Sequence, residues 1–108
     1  DGYREDLLSD DFRRIYVNSG ANVSVEETAV SVTTTATLLP ATSLTGRRKI
    51  YVQNLDNAPI FLGGSAVTTA NGLRIAAGGV FEDEVGDDVA LYAIAATGTA
   101  DVRVLELA

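Results

Sequence analysis

The chain has 108 residues, enough for one domain and a short appendage. It contains no Cys, His, Met or Trp, and Lys49 is its single lysine. That composition excludes disulfides, thiol nucleophiles, imidazole bases, Ser-His-Asp triads and thiolate or imidazole metal sites. A net charge of −7 disfavours nucleic acid as a partner, because phosphate neutralisation supplies most of that affinity. The 46% hydrophobic share predicts a folded chain. No apolar stretch approaches the ~18 residues of a membrane helix, and no signal-peptide pattern opens the chain. The missing methionine points to a trimmed leader or an upstream start.

Residues 1–16 concentrate charge: Arg4, Glu5, Asp6, Asp10, Asp11, Arg13 and Arg14, with Leu7, Leu8, Phe12 and Ile15 among them. Leu8, Phe12 and Ile15 stand at i, i+4 and i+7, which permits one short helical face. No capping box supports it, and an isolated helix this short is marginal in water. The segment, taken to residue 20, reads as an arm, helical for a turn or two or extended, ordered by docking through Leu8, Phe12, Ile15 and Tyr16. A frayed terminus is the bland alternative. Asn18, Ser19, Gly20, Ala21 and Asn22 then break the chain before a body spanning residues 21–108.

In the body, Val23 and Val25 alternate with Ser24, and Val30 and Val32 with Ser31; Glu26 and Glu27 interrupt them. A β-branched run continues through Thr33, Thr34, Thr35 and Thr37 to Leu38 and Leu39, where Pro40 stops it. Residues 49–55 make the clearest strand, and the apolar run of Ile60, Phe61 and Leu62 predicts its hairpin partner. Asn71-Gly72 predicts a tight turn, since both residues tolerate positive φ. Leu73 and Ile75, then Val80 and Phe81, give two short strands. From Val89 to Ala96 both alternating faces are apolar, as in a central strand. Val102 and Val104 alternate with Asp101 and Arg103 in a half-solvated last strand. About seven or eight strands at this spacing predict an all-β fold, an antiparallel β-sandwich or a jelly-roll-like barrel.

The candidate chemistry is thin. Glu82, Asp83, Glu84, Asp87 and Asp88 form the densest carboxylate run. A calcium site is the functional reading, but the Asp, Asn and Gly alternation of a calcium loop is missing; a charged sheet edge is the plain alternative. Arg47, Arg48 and Lys49 form the opposite patch. Three cations on an acidic body suit the acidic run of a neighbouring copy better than phosphate, and a solvated strand start serves equally. Gly63-Gly64 and Gly78-Gly79 lack the Lys-Ser/Thr of a phosphate loop. Asp83 and Asp101 could pair for glycoside hydrolysis only if the fold brought them ~5–9 Å apart. Neither catalytic, metal nor cofactor-binding residues are assigned, and the chain is expected to be no enzyme. Tyr51, Phe61 and Tyr92 read as core or interface residues.

The strings Leu39-Pro40-Ala41, Gly46-Arg47-Arg48-Lys49-Ile50-Tyr51-Val52-Gln53-Asn54-Leu55, Pro59-Ile60-Phe61-Leu62-Gly63-Gly64-Ser65, Val67-Thr68-Thr69-Ala70-Asn71-Gly72 and the ending from Leu91 to Glu106 resemble a module of tailed-bacteriophage virion proteins. The likeness covers residues 36–106 and leaves the arm outside. It implies a small β-sandwich without a catalytic set, in a virion assembled in the host bacterial cytoplasm. The expectation is a capsid decoration or cement subunit, a homo-oligomer such as a trimer, bound to the major capsid protein or another virion protein. A tail, neck or fibre component that binds a receptor or glycan is the alternative. Interface residues are expected in the arm (Leu8, Phe12, Arg13, Arg14, Ile15, Tyr16), in the basic patch (Arg47, Arg48, Lys49) and in the acidic run (Glu82, Asp83, Glu84).

Overall fold

The computed structural model of the protein describes residues 23–108. The expected arm therefore lies outside the described residues. The rest is all-β: eight strands in two four-stranded antiparallel sheets, facing each other as a β-sandwich. In chain order they are β1 (Val25–Val32), β2 (Thr37–Leu38), β3 (Lys49–Asn54), β4 (Ile60–Gly63), β5 (Leu73–Ile75), β6 (Val80–Asp83), β7 (Tyr92–Ala95) and β8 (Ala100–Leu107). The first sheet runs β1-β8-β3-β6 and the second β2-β7-β4-β5.

Strand alternation builds the core. On β8, Ala100, Val102 and Val104 face inward; on β3, Ile50 and Val52 do the same. Ile60 and Leu62 of β4, Ile75 of β5 and Ala93 and Ala95 of β7 meet them from the second sheet. Burying each of the larger aliphatic side chains contributes about 1.5–3 kcal/mol. Phe81, Val85 and Leu91 close the margins.

Several local expectations need correction. The predicted hairpin of residues 49–62 does not form: β3 pairs with β6 and β8, whereas β4 pairs with β5 and β7. Both runs bury alternate apolar residues, so each satisfies its own sheet, and the chain crosses the sandwich between them. Asn54 fixes that crossing. Its side-chain amide donates to the carbonyls of Ala58, Ile75 and Ala76, and its Oδ1 accepts from the Asp56 N–H. Glu26 and Glu27 interrupt nothing, since β1 holds an unbroken register against β8 from Val25–Leu107 to Val32–Ala100. Both glutamates are exposed at this end of the edge strand, where charge is tolerated. The threonine run turns instead of continuing: the Thr33 hydroxyl accepts from the Thr35 N–H, and the Thr37 hydroxyl donates to the Thr35 carbonyl. Local hydroxyl bonds here displace the ladder. The strand expected from residue 89 starts only at Tyr92, because the stretch before it is held by Arg47.

Asn71-Gly72 turns without positive φ; among the described residues only Gly46, Gly78 and Gly98 adopt it. Gly72 is needed for space. A Cβ there would stand 2.7 Å from Phe61 Cβ, 2.8 Å from Val67 Cγ2 and 3.1 Å from the Leu62 carbonyl oxygen. Gly72→Ala is expected to cost about 1–3 kcal/mol in urea denaturation. Gly64→Ala, with open space around it, should stay within ~0.5 kcal/mol.

Candidate interaction surface

Arg47 and Glu106 come together at one end of the core. Gly46, at φ 76°, turns the chain so that Arg47 points inward beside β8. Glu106 takes the next inward position of β8 after Val104. Arg47 Nη1 donates to Glu106 Oε2 at 2.8 Å, and both side chains are fully buried. Nε donates to the Val85 carbonyl at 3.0 Å, and Nη2 to the Gly86 and Val89 carbonyls at 2.7 Å each. Glu106 Oε2 also accepts the Leu44 N–H, while Oε1 is buried without a partner. One guanidinium thus ties the 41–47 loop, the 84–91 loop and β8 into one unit. The expected surface role of Arg47 is corrected: its donors are spent inside its own chain.

The remaining expected residues divide. Leu8, Phe12, Arg13, Arg14, Ile15 and Tyr16 lie outside the described residues. Arg48 is exposed; its backbone N–H donates to the Leu107 carbonyl and its carbonyl accepts the Val85 N–H. Lys49 Nζ meets Glu82 Oε2 at 3.0 Å, a pair within one chain, and lies 5.3 Å from the Tyr51 ring centre. Hydrogen bonds to Glu82 first and then Tyr51 raise the Lys49 ammonium above its ordinary value. A raised folded-state value means the pair's contribution is complete at neutral pH. It is lost only as pH climbs through the alkaline range. Both ends touch solvent, so salt screens it.

The acidic run is spread out. Glu82 and Asp83 belong to β6, one of the two edge strands of the first sheet. Asp83 Oδ1 accepts the Glu84 N–H, and Asp87 Oδ2 accepts the Gly46 N–H at 2.6 Å. Among the described residues no three such side chains gather as metal ligands. Asp83 and Asp101 are also kept apart. Asp83 stands level with Ile50 and Glu106, five positions along β8 from Asp101, roughly 17 Å at ~3.4 Å per residue. They also lie on opposite faces, since Asp83 shares the face of buried Ile50 and Asp101 the face of exposed Arg103.

The outward face of the first sheet is the surface the sequence reading missed. Across the strands it presents Glu27 and Ala29 of β1, Arg103 and Leu105 of β8, Tyr51 and Gln53 of β3, and Val80 of β6. These line an open depression of about 470 Å³. Its surface is mixed: Leu105, 36% exposed, and half-buried Tyr51 are level on β8 and β3, Arg103 and Gln53 fill the next row on the same two strands, and Val80, 56% exposed, lies at the β6 end of that row. The Lys49–Glu82 pair flanks it on one side, and Arg103 is paired with Asp101. Exposed aliphatic and aromatic groups beside an arginine are a composition found at protein contacts. The clue was in β8, where the alternation of Val102 and Val104 with Asp101 and Arg103 inverts: Leu105 takes an outward position and Glu106 an inward one.

No protein-family model matches the chain, and no curated protein matches it. No helix among the described residues is long and apolar enough to cross a membrane.

Proposed function

We propose that this chain is a non-enzymatic structural subunit of a tailed-bacteriophage virion, one that decorates the head lattice and stabilises it. The observation that carries this reading is the outward face of the first sheet, apolar at Tyr51, Val80 and Leu105 and without a covering layer among the described residues. The one buried ion pair among the described residues, Arg47–Glu106, is committed to holding loops together. The likeness of residues 36–106 to phage virion modules supplies the setting. In that setting many equivalent weak contacts give tight attachment. The arm, through Leu8, Phe12, Ile15 and Tyr16, reaches a neighbouring subunit, and the net charge of −7 keeps unassembled copies apart.

The test is location and attachment together. A particle reconstruction should place the chain on the outside of the head shell. Density on the tail or a fibre would replace the decoration reading with the tail-component one. Val80→Gln with Leu105→Gln should weaken attachment to stripped heads by tenfold or more, since two apolar contacts of ~1 kcal/mol or more are lost. Folding stability should move by no more than ~0.5 kcal/mol per site. Unchanged attachment by the well-folded variant would show that another surface makes the contact.

A further inference from the structure

The four sheet edges are unequal. β6 offers four residues, β5 three and β2 two, whereas β1 offers eight. Eight residues expose roughly 27 Å of backbone at ~3.4 Å per residue. No proline or bulge blunts this edge: the pairing of β1 with β8 advances one for one from Val25 to Val32. Just before β1, Ser24 and Ala108 exchange both backbone hydrogen bonds. Bonded and non-bonded pairs alternate along an antiparallel ladder. Glu26, Thr28 and Val30 therefore bond β8, whereas Val25, Glu27, Ala29 and Ser31 turn their N–H and C=O groups away from it. These four residues are exposed, and no described residue takes those bonds. The row ends at Thr33, whose carbonyl accepts the Ala95 N–H. A long regular row of unpaired backbone groups is a template for another strand.

Space lies on both sides of the row. The outward-face depression reaches it at Glu27 and Ala29. An open groove of about 550 Å³ reaches it from the side of Thr28 and Val30, with Thr37 and Leu38 opposite. A strand added here would send alternate side chains into each. Charge then selects the strand. Glu26 and Glu27 are exposed, and neither forms an ion pair within the described residues. No Lys or Arg lies between residues 23 and 46. The same edge of a second copy brings the same two glutamates on a chain of net charge −7, which disfavours edge-to-edge self-pairing. A cationic strand meets the opposite sign in the same place.

We propose that β1 is a docking edge for an extended basic segment of a partner protein, added as an antiparallel strand with its cations opposite Glu26 and Glu27. The backbone of that segment bonds Val25, Glu27, Ala29 and Ser31, and its side chains opposite Thr28 and Val30 enter the groove. The added strand extends the outward face of the first sheet, so strand and face make one continuous contact. The inference rests on the reading of the chain as a subunit that attaches to another protein, and it names the chemistry of the attached segment.

The probe is a synthetic peptide, Thr-Val-Thr-Val-Thr-Lys-Arg-Val, blocked at both ends and titrated into the full chain. Hydrogen exchange read by NMR should show new protection at the amides of Val25, Glu27, Ala29 and Ser31 and no change at Thr28 and Val30, which already bond β8. Glu26→Lys with Glu27→Lys should weaken binding by about tenfold or more. A peptide with Glu-Glu in place of Lys-Arg should then bind that variant better than it binds the parent, a swap that a folding defect would not give. Ala29→Pro should abolish the new protection, since the N–H it removes faces away from β8, where an edge strand tolerates proline. No binding by the full chain overturns the proposal, as does binding without the alternating protection or without dependence on the two glutamates. Protection of the four amides before any peptide is added also overturns it, because the edge is then already filled. None of these readouts uses virion heads, so failure here is separable from failure of the attachment test.

Discussion

Arg47→Ala should remove about 3–5 kcal/mol of folding stability, the range for breaking a buried ion pair. Single domains have only ~5–15 kcal/mol in total. The substitution strands the Glu106 carboxylate inside the protein, its Oε1 already without a partner. It also takes the donors from the carbonyls of Val85, Gly86 and Val89. Arg47→Lys should recover little, because an ammonium cannot reproduce the planar fork that reaches Glu106 and three carbonyls. Arg47→Met with Glu106→Leu should be less damaging than either single truncation, since no buried charge is left unpaired. Urea denaturation of the three variants and the parent reads the effect. A loss below ~1 kcal/mol for Arg47→Ala would mean that water reaches the pair and that the 84–91 loop is held by other means.

Asn54→Asp should be as damaging at neutral pH, about 3–5 kcal/mol, and the cost should depend on pH. Asn54 is fully buried. Its two amide protons serve three carbonyl oxygens, at 2.8, 3.2 and 3.3 Å. A carboxylate in the same place would face those oxygens with no proton to offer. Burial and the facing carbonyls would push the introduced acid above the ordinary ~3.9 of aspartate, so the folded state binds a proton that the unfolded state releases. Stability of this variant should therefore fall as pH rises from about 4 to 7, and the penalty should shrink below the unfolded value. Asn54→Ala, which removes donors without adding a charge, should cost about 1–3 kcal/mol with little dependence on pH. An aspartate variant no worse than the alanine one would show that the crossing from β3 to β4 opens to solvent.

Strand content and sandwich architecture were legible in the sequence because period-two alternation survives wherever one face is buried. Val102 and Val104 against Asp101 and Arg103 is the clearest instance, and the structure buries the first two and exposes the others. Pairing was not legible. The runs at 49–54 and 60–63 look like hairpin partners because they are adjacent and apolar, yet each finds its neighbours far along the chain. Alternation tells a residue which side to face, not which strand lies beside it. The threonine run misled for a related reason: β-branching favours a strand, but hydroxyls close together can bond their own backbone. Arg47 read as surface because arginine is rarely buried, and only the fold brings Glu106 and the 85–89 carbonyls around it.

The last of the described strands is central to the first sheet, where β8 lies between β1 and β3. Until residues 100–107 leave the ribosome, those two have nothing to join them, and most other contacts also span distant stretches. Such topologies collapse slowly, on a millisecond-to-second scale. The first sheet therefore assembles only after residues 100–107 are available, and a nascent chain stalled before Ala100 would expose β1 and β3 together as a sticky intermediate for chaperones to shield.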